Sequence, residues 1–187
     1  MMRQSARFAQ RWLLWIGLAA FTYAGGTAAY AGFFQRYQLW KFQRVEAQAP
    51  AFKIELKDGD IVGKLEISRI GISVMVLQGT GDYALAFGAG HVPGTPLPGT
   101  NGDTAIAAHR DTFFRNLKEI RRGDSIRYST ARHSYDYVVD SMETVDPDDT
   151  QILESHEHSE LTLITCFPFY FVGSSPKRFV VHAVLLR

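Results

Sequence analysis

The stretch IVGKLEISRIGISVMVLQG, residues 61–79, decides the fold class. Val62, Lys64, Glu66 and Ser68 fall on one face, while Ile61, Leu65 and Ile67 fall mostly on the other. That period of two belongs to a half-buried strand. Gly71 interrupts the alternation and ISVMVLQG resumes it, so a bend or bulge is expected at the glycine.

The same texture continues downstream. DTAIAAH is a small-residue strand ending at His109, and DSIRYST and HSYDYVVDSMETV are two more, parted by a turn near Ala131 and Arg132. ELTLITC and KRFVVHAVLLR complete the set of seven. Between them DYALAFGAG reads as a short helical turn ending at Gly88 or Gly90. GHVPGTPLPGTNGD, residues 90–103, reads as a loop dense in breakers, FFRNLKEIRRGD as a short helix stopped by Gly123, and PDDTQILE as one helical turn. Short strands with only short helices imply an all-β domain closed into a barrel, because closure removes exposed edges. No internal repeat or second domain breaks residues 60–187.

The N-terminal part is different. Residues 12–34, WLLWIGLAAFTYAGGTAAYAGFF, contain no charge and follow Arg3, Arg7 and Arg11. About 20 such residues span a bilayer as a helix, and the run exceeds the roughly 7–15 residues of a signal-peptide core. AYA at 29–31 resembles a cleavage site, but the length favours an uncleaved anchor. Residues 1–11 are then a cytoplasmic tail, an orientation to which the arginines lean only weakly, since Arg36, Lys41 and Arg44 follow the span. Residues 35–59 form a polar stalk and linker. Localisation is thus expected to be the cell membrane, single-pass, with residues 60–187 outside the cytoplasm. The formal net charge of +1 suggests no nucleic acid as partner.

Cys166 is the only cysteine. A free cysteine is commonly a small buried hydrophobe, and its phase with Thr162 and Ile164 allows burial; its place before Pro168 equally allows a reactive thiol at the rim of a sheet. A nucleophilic thiol, only a few per cent ionised at pH 7 with an ordinary pKa of about 8.5, needs a proton acceptor and an oxyanion donor. Among six histidines, His133, His156 and His158 lie in polar turns, and His182 lies within the last strand. His91 opens a Gly/Pro loop where it would be poorly fixed. His109 ends a strand of small alanines and is the preferred base. Arg178 begins the strand after Cys166, and a hairpin between them would bring the two together. Lys177 competes, but period two turns it to the opposite face, and it lacks the guanidinium's planar fork.

Three other patterns carry nothing. HRDTFFRN, residues 109–116, fits a kinase catalytic loop, yet no glycine-rich loop or D-F-G accompanies it. LPGT, residues 97–100, looks like a sorting signal but lacks the following apolar span, so it is a Pro/Gly turn. Asp146, Asp148 and Asp149 lack the spacing and glycine of a calcium loop. No metal motif is present and the thiol chemistry needs no cofactor, although stimulation by calcium stays open.

TLITC at 162–166, AHRDTFF at 108–114 and KRFVV at 177–181 together resemble the sortases, membrane-anchored cysteine transpeptidases. GKLEISRIGISVMVLQG is similar to their opening strands, and GAGHVPGTPLPGTNGDTAIAAHRDTFFRNL and TLITCFPFYFVGSSPKRFVV look most like class D. The resemblance implies an eight-stranded barrel with a groove on one side. It implies Cys166 as nucleophile, His109 as general acid/base, Arg178 as the arginine supporting substrate and oxyanion, and Thr165 as a substrate-holding residue. His91 matches a loop histidine without a catalytic role, and Ala108 stands where many relatives have glycine. The implied partners are exported proteins carrying an LPxT-type signal and an amine acceptor of cell wall or pilin. Loop 90–103 and segment 167–177 are the expected groove walls. A hydrolytic cysteine protease on the same signal and a catalytically idle membrane-tethered binding or assembly factor are the competing readings.

Overall fold

A computed structural model describes residues 14–18, 21–23, 25–26, 33, 56–149, 159–170 and 173–186. Eight strands form one closed barrel: β1 (Ile61–Ile67), β2 (Ile72–Gln78), β3 (Ala89–His91), β4 (Gly102–Ala107), β5 (Ser125–Ser129), β6 (Ser134–Val145), β7 (Ser159–Phe167) and β8 (Lys177–Leu185). Around the barrel the order is β1-β2-β3-β4-β7-β8-β6-β5, and β5 closes onto β1. The β2–β3 and β4–β7 pairs are parallel and the rest antiparallel. One six-residue helix, α1 (Asp82–Phe87), and two 3-10 turns, Ser68–Ile70 and Arg115–Glu119, lie between strands.

The alternation of residues 61–79 gives β1 and β2 with two local departures. Val62 is buried rather than facing out with Lys64, because the register shifts between Ile61 and Gly63. Such a bulge moves a side chain to the other face. Gly63 permits it: a Cβ there would lie 2.5 Å from the Tyr128 ring. At the second break the chain makes the 3-10 turn and then Gly71, whose φ of 66° is left-handed backbone that glycine adopts without penalty.

The eighth strand, β3, was expected as the end of a helical turn and the start of a loop. Three residues, Ala-Gly-His, show no alternation of their own; pairing with β2 on one side and β4 on the other makes them a strand. FFRNLKEI forms a 3-10 turn in place of the short helix expected. The PDDTQILE turn lies largely outside the described residues.

The barrel interior takes alternate positions from each strand: Leu65 and Ile67, Val74 and Val76, Ile106 and Ala108, Ile126 and Tyr128, Leu161 and Leu163, Val181 and Ala183. Burying an aliphatic side chain of this kind contributes about 1.5–3 kcal/mol, and Phe114 and Leu117 add to the same cluster from the segment after β4. Residues on the opposite phase of β4, β7 and β8 are thereby turned outward.

Of residues 12–34, positions 14–18, 21–23, 25–26 and 33 are described, all helical and exposed. Among the described residues no helix is long and apolar enough to cross a membrane; most of the expected anchor and all of the stalk before Leu56 lie outside them.

Candidate active site

Register places three of the sequence candidates in one row. Cys166 pairs directly with Arg178 across the antiparallel β7–β8 ladder. On its other side β7 runs parallel to β4, with Ala107 level with Ile164. A further backbone bond, Ala108 N–H to Ile164 O at 3.1 Å, carries that register past the strand end. Two residues beyond Ala107, His109 comes level with Cys166. The lateral order at this rim is His109, Cys166, Arg178, on the phase opposite Leu163, Thr165 and Val181.

Small residues flank the thiol on the β4 side. Ala105 and Ala107 of β4 lie beside Thr162 and Ile164 of β7, so little side-chain bulk stands next to the thiol. Cys166 and Arg178 are half-buried and His109 is exposed. Among the described residues neither the His109 ring nor the Cys166 thiol is hydrogen-bonded to a neighbour. Catalytic hydrogen bonds are commonly loose until substrate closes them. Arg178 is anchored: its Nη1 donates to the Lys177 carbonyl at 3.1 Å and the Ser175 carbonyl at 3.4 Å. Lys177, the competitor, points its ammonium to Asp146 at 2.8 Å.

Thr165 is placed differently from the other three. It is 2% exposed, and its Oγ1 donates to the Ala108 carbonyl at 2.7 Å. The bond clamps the residue before His109 to the residue before Cys166. Ala108 itself, 6% exposed, adopts no positive φ, so the methyl costs no backbone strain.

His91 stands apart from the row, on β3. Far from being poorly fixed, it is 3% exposed. Its Nδ1 lies 2.9 Å from Gln78 Oε1 and its Nε2 3.1 Å from the Pro96 carbonyl. Burial pushes its pKa below the ordinary imidazole value, with the Pro96 carbonyl opposing. This histidine latches the loop after β3 to β2. That loop joins the end of β3 to the start of β4, so of the two expected walls it borders only the end of the face remote from Cys166. Its LPGT segment is a tight turn, with Thr100 Oγ1 donating to the Leu97 carbonyl at 2.6 Å. His182 lies on the same face as Cys166, held by Thr162 at 3.1 Å and Glu143 at 3.0 Å.

The near wall is the segment between β7 and β8, and residues missed in the sequence hold it. Arg110 Nη1 donates to Ser175 Oγ at 2.8 Å and Nη2 to the Gly173 carbonyl at 3.2 Å; Ser175 Oγ in turn donates to the Phe167 carbonyl. Lys118 Nζ donates to the Tyr170 hydroxyl at 2.6 Å. Phe167, Phe169 and Phe179 pack with ring centroids 5.4–6.4 Å apart. Arg110 directly follows the candidate base, which is a local signal; its partners 63 and 65 residues away leave none. Among the described residues no group of three His, Cys, Asp or Glu side chains is placed to hold a metal ion.

A thiol beside a guanidinium on paired barrel strands, with an imidazole just past the end of a third, is equipped for acyl transfer, and the comparisons agree with the fold that presents them. The Sortase domain model matches residues 65–186. The chain belongs to the sortase family. Within it, the chain is 37% identical over 125 residues to Sortase D of Bacillus subtilis, covering 66% of this chain and 63% of that one. It is 29% identical over 130 residues to Sortase A of Bacillus anthracis, covering 67% and 60%. The matches thus span about three fifths of these curated relatives. The solved structure of a Clostridium perfringens Sortase D5 transpeptidase superposes with a TM-score of 0.74 at 26% identity, over 82% of this chain and 99% of that one. This sortase therefore has the family's closed eight-stranded barrel, and its likeness to class D rests on both sequence and structure.

Proposed function

We propose that this sortase is a membrane-anchored cysteine transpeptidase that cleaves exported proteins after the threonine of an LPxT-type signal. The single observation that supports it best is the row formed by Cys166 and Arg178 on paired strands and His109 in the segment just past β4. In the first step the Cys166 thiol gives its proton to His109 and the thiolate sulfur attacks the threonine carbonyl carbon. Arg178 stabilises the oxyanion, and protonated His109 gives its proton to the departing amine as the C–N bond breaks. A thioester remains. An amine acceptor, on a cell-wall precursor or a pilin lysine, then attacks that thioester; its proton passes to His109 and the thiolate leaves. Thr165 supports the site by fixing Ala108 beside His109, and substrate contact by this residue would be through its backbone, since its side chain is buried and its hydroxyl proton is already donated. The residues 12–34 anchor the barrel to the outer side of the membrane, and the reaction needs no cofactor.

The test is incubation of the full-length chain with LPxTA and LPxTG peptides and an amine, with mass spectrometry of the products and Cys166→Ala as control. Cleavage plus an amine-linked product, both lost in the control, is the expected outcome. Hydrolysis without any linked product across a panel of amines would instead favour a protease, and no cleavage of either peptide would favour a binding factor. Repeating the assay with calcium or chelator measures any stimulation.

A further inference from the structure

Beside the row, on the His109 side, lies an open recess of about 470 Å³ that the steps above do not use. Its walls are Gly71, Ile72 and Ser73 around the start of β2, and Asp111, Thr112, Phe113, Arg115 and Asn116 in the segment that follows His109. Topology explains the meeting. β4 is antiparallel to β3 and β3 parallel to β2, so the end of β4 and the start of β2 lie at one end of the barrel. Going round that end, the order is Arg178, Cys166, His109 and then the recess.

The recess is braced. Asn116 Nδ2 donates to the Ile70 carbonyl at 3.0 Å, joining its two lips. Arg115 Nε donates to the Asp111 carbonyl at 2.9 Å, and the Phe114 N–H to the His109 carbonyl at 3.1 Å ties the whole segment to the base. Two opposite charges stay uncommitted. Among the described residues, neither the Asp111 carboxylate nor the terminal nitrogens of Arg115 have a hydrogen-bond or ion-pair partner. Ser73, Thr112 and Asn116 add hydroxyls and an amide. A volume in the range of small-molecule sites, with one free anion and one free guanidinium, matches a ligand that bears both charges.

We propose that this recess is the acceptor subsite, and that it selects a primary amine with a carboxylate nearby. The inference rests on the transpeptidase reading. The acceptor must shed a proton before its nitrogen attacks the thioester, so it must arrive on the side of the base. The recess opens there, while Arg178 flanks the opposite side of the thiol. Asp111 attracts the ammonium and Arg115 pairs with the carboxylate as a planar fork. The amine loses one proton to solvent and a second to His109 as the new C–N bond forms and the C–S bond breaks.

The experiment compares lysine with 1,5-diaminopentane, which differs from it by one carboxylate. Using the full-length chain and a cleavable LPxT-type peptide, the ratio of transferred to hydrolysed product is expected to favour lysine several-fold. Asp111→Asn lowers that ratio about tenfold for both amines, in line with a lost charge-assisted contact. Arg115→Gln removes the preference for lysine, and Arg115→Lys restores part of it. Equal ratios for the two amines, or ratios that neither substitution moves, overturn the proposal. Saturation-transfer NMR of lysine with the full-length Cys166→Ala chain separates this from the parent reading, since it needs no turnover. A lysine signal abolished by Asp111→Asn sustains the subsite even if the chosen peptide is not cleaved; a signal indifferent to both substitutions overturns it even if the peptide is cleaved.

Discussion

Two walls of the barrel differ in whether their central polar side chains are paired, although Lys177 and His182 at the margin of the second are paired with Asp146 and Glu143. On the β1–β5–β6 wall charges are spent on one another: Arg127 with Asp136 at 2.8 Å, Lys64 with Glu66 at 2.8 Å and Arg122 with Asp140 at 2.9 Å. Arg69 Nη2 donates to Asp124 at 2.6 Å, and the Arg121 backbone N–H donates to the same carboxylate at 2.7 Å. On the β4–β7–β8 wall the thiol of Cys166 and the ring of His109 have no partner among the described residues, while the backbone beneath them is clamped by Thr165 and Arg110. The difference teaches where to look for chemistry. A wall that satisfies its own side chains holds shape; one that fixes its backbone and leaves side chains unspent is poised to meet a substrate.

The sharpest way to break that contrast is to remove the unspent groups. Cys166→Ala abolishes thioester formation, and His109→Ala lowers kcat/KM by roughly 10³-fold, within the span of general acid–base catalysis; peptide cleavage followed by mass spectrometry reads both. If His109→Ala retained activity within tenfold, the exposed ring would belong with the solvated histidines. Next comes Arg178→Lys, which keeps the charge and loses the fork. A fall of about 10²-fold in kcat is expected for a lost oxyanion donor, whereas a change in KM alone would make Arg178 a binding residue only.

Arg110→Ala sharpens the comparison at the level of the clamp. It frees Ser175 and Gly173 from the segment after His109, so a loss of about tenfold in kcat/KM is expected, with thiol alkylation of Cys166 little changed. On the opposite wall, Asp124→Asn should lower the melting temperature by roughly 5 °C and leave kcat alone. The Arg69 guanidinium holds the Asp124 carboxyl below its usual range, with burial opposing. A depressed carboxylate stabilises the fold above its unfolded pKa of about 3.9, and that contribution is lost as pH falls through the folded value. The wild type should therefore lose more stability than Asp124→Asn between about pH 4 and lower pH, as read by thermal melts. Parallel curves would remove Asp124 from the acid response.

What the sequence could show followed local spacing. Strand-like local patterning identified β1, β2 and β4–β8, and hairpin logic brought Arg178 to Cys166, because both signals act over a dozen residues or fewer. β3 was invisible since its three residues gain strand character only from neighbours on either side. The inward turn of Val62 was missed because a bulge leaves no mark beyond Gly63. His91 looked loose for being flanked by glycine and proline, yet Gln78 and the Pro96 carbonyl fix it in space. His109 beside Cys166 depended on a parallel register linking residues 57 positions apart, which no local rule supplies. The family motifs marked those two residues, but the clamp around them (Thr165 to Ala108, Arg110 to Ser175) belongs to the fold.

The parallel pairing of β4 with β7 has a consequence for how the molecule comes to life. The two strands are separated in the chain by β5, β6 and their connections, and β8, last of the eight in order, inserts between β7 and β6. Pairings of such long sequence separation are slow to form, because loop-closure entropy is paid before contacts reward it. Every partial barrel lacking β8 also lacks Arg178 and leaves one flank of Cys166 open. Competence for reaction therefore waits on the long-range pairing of β4 with β7, and a half-folded chain carries a thiol but no working site.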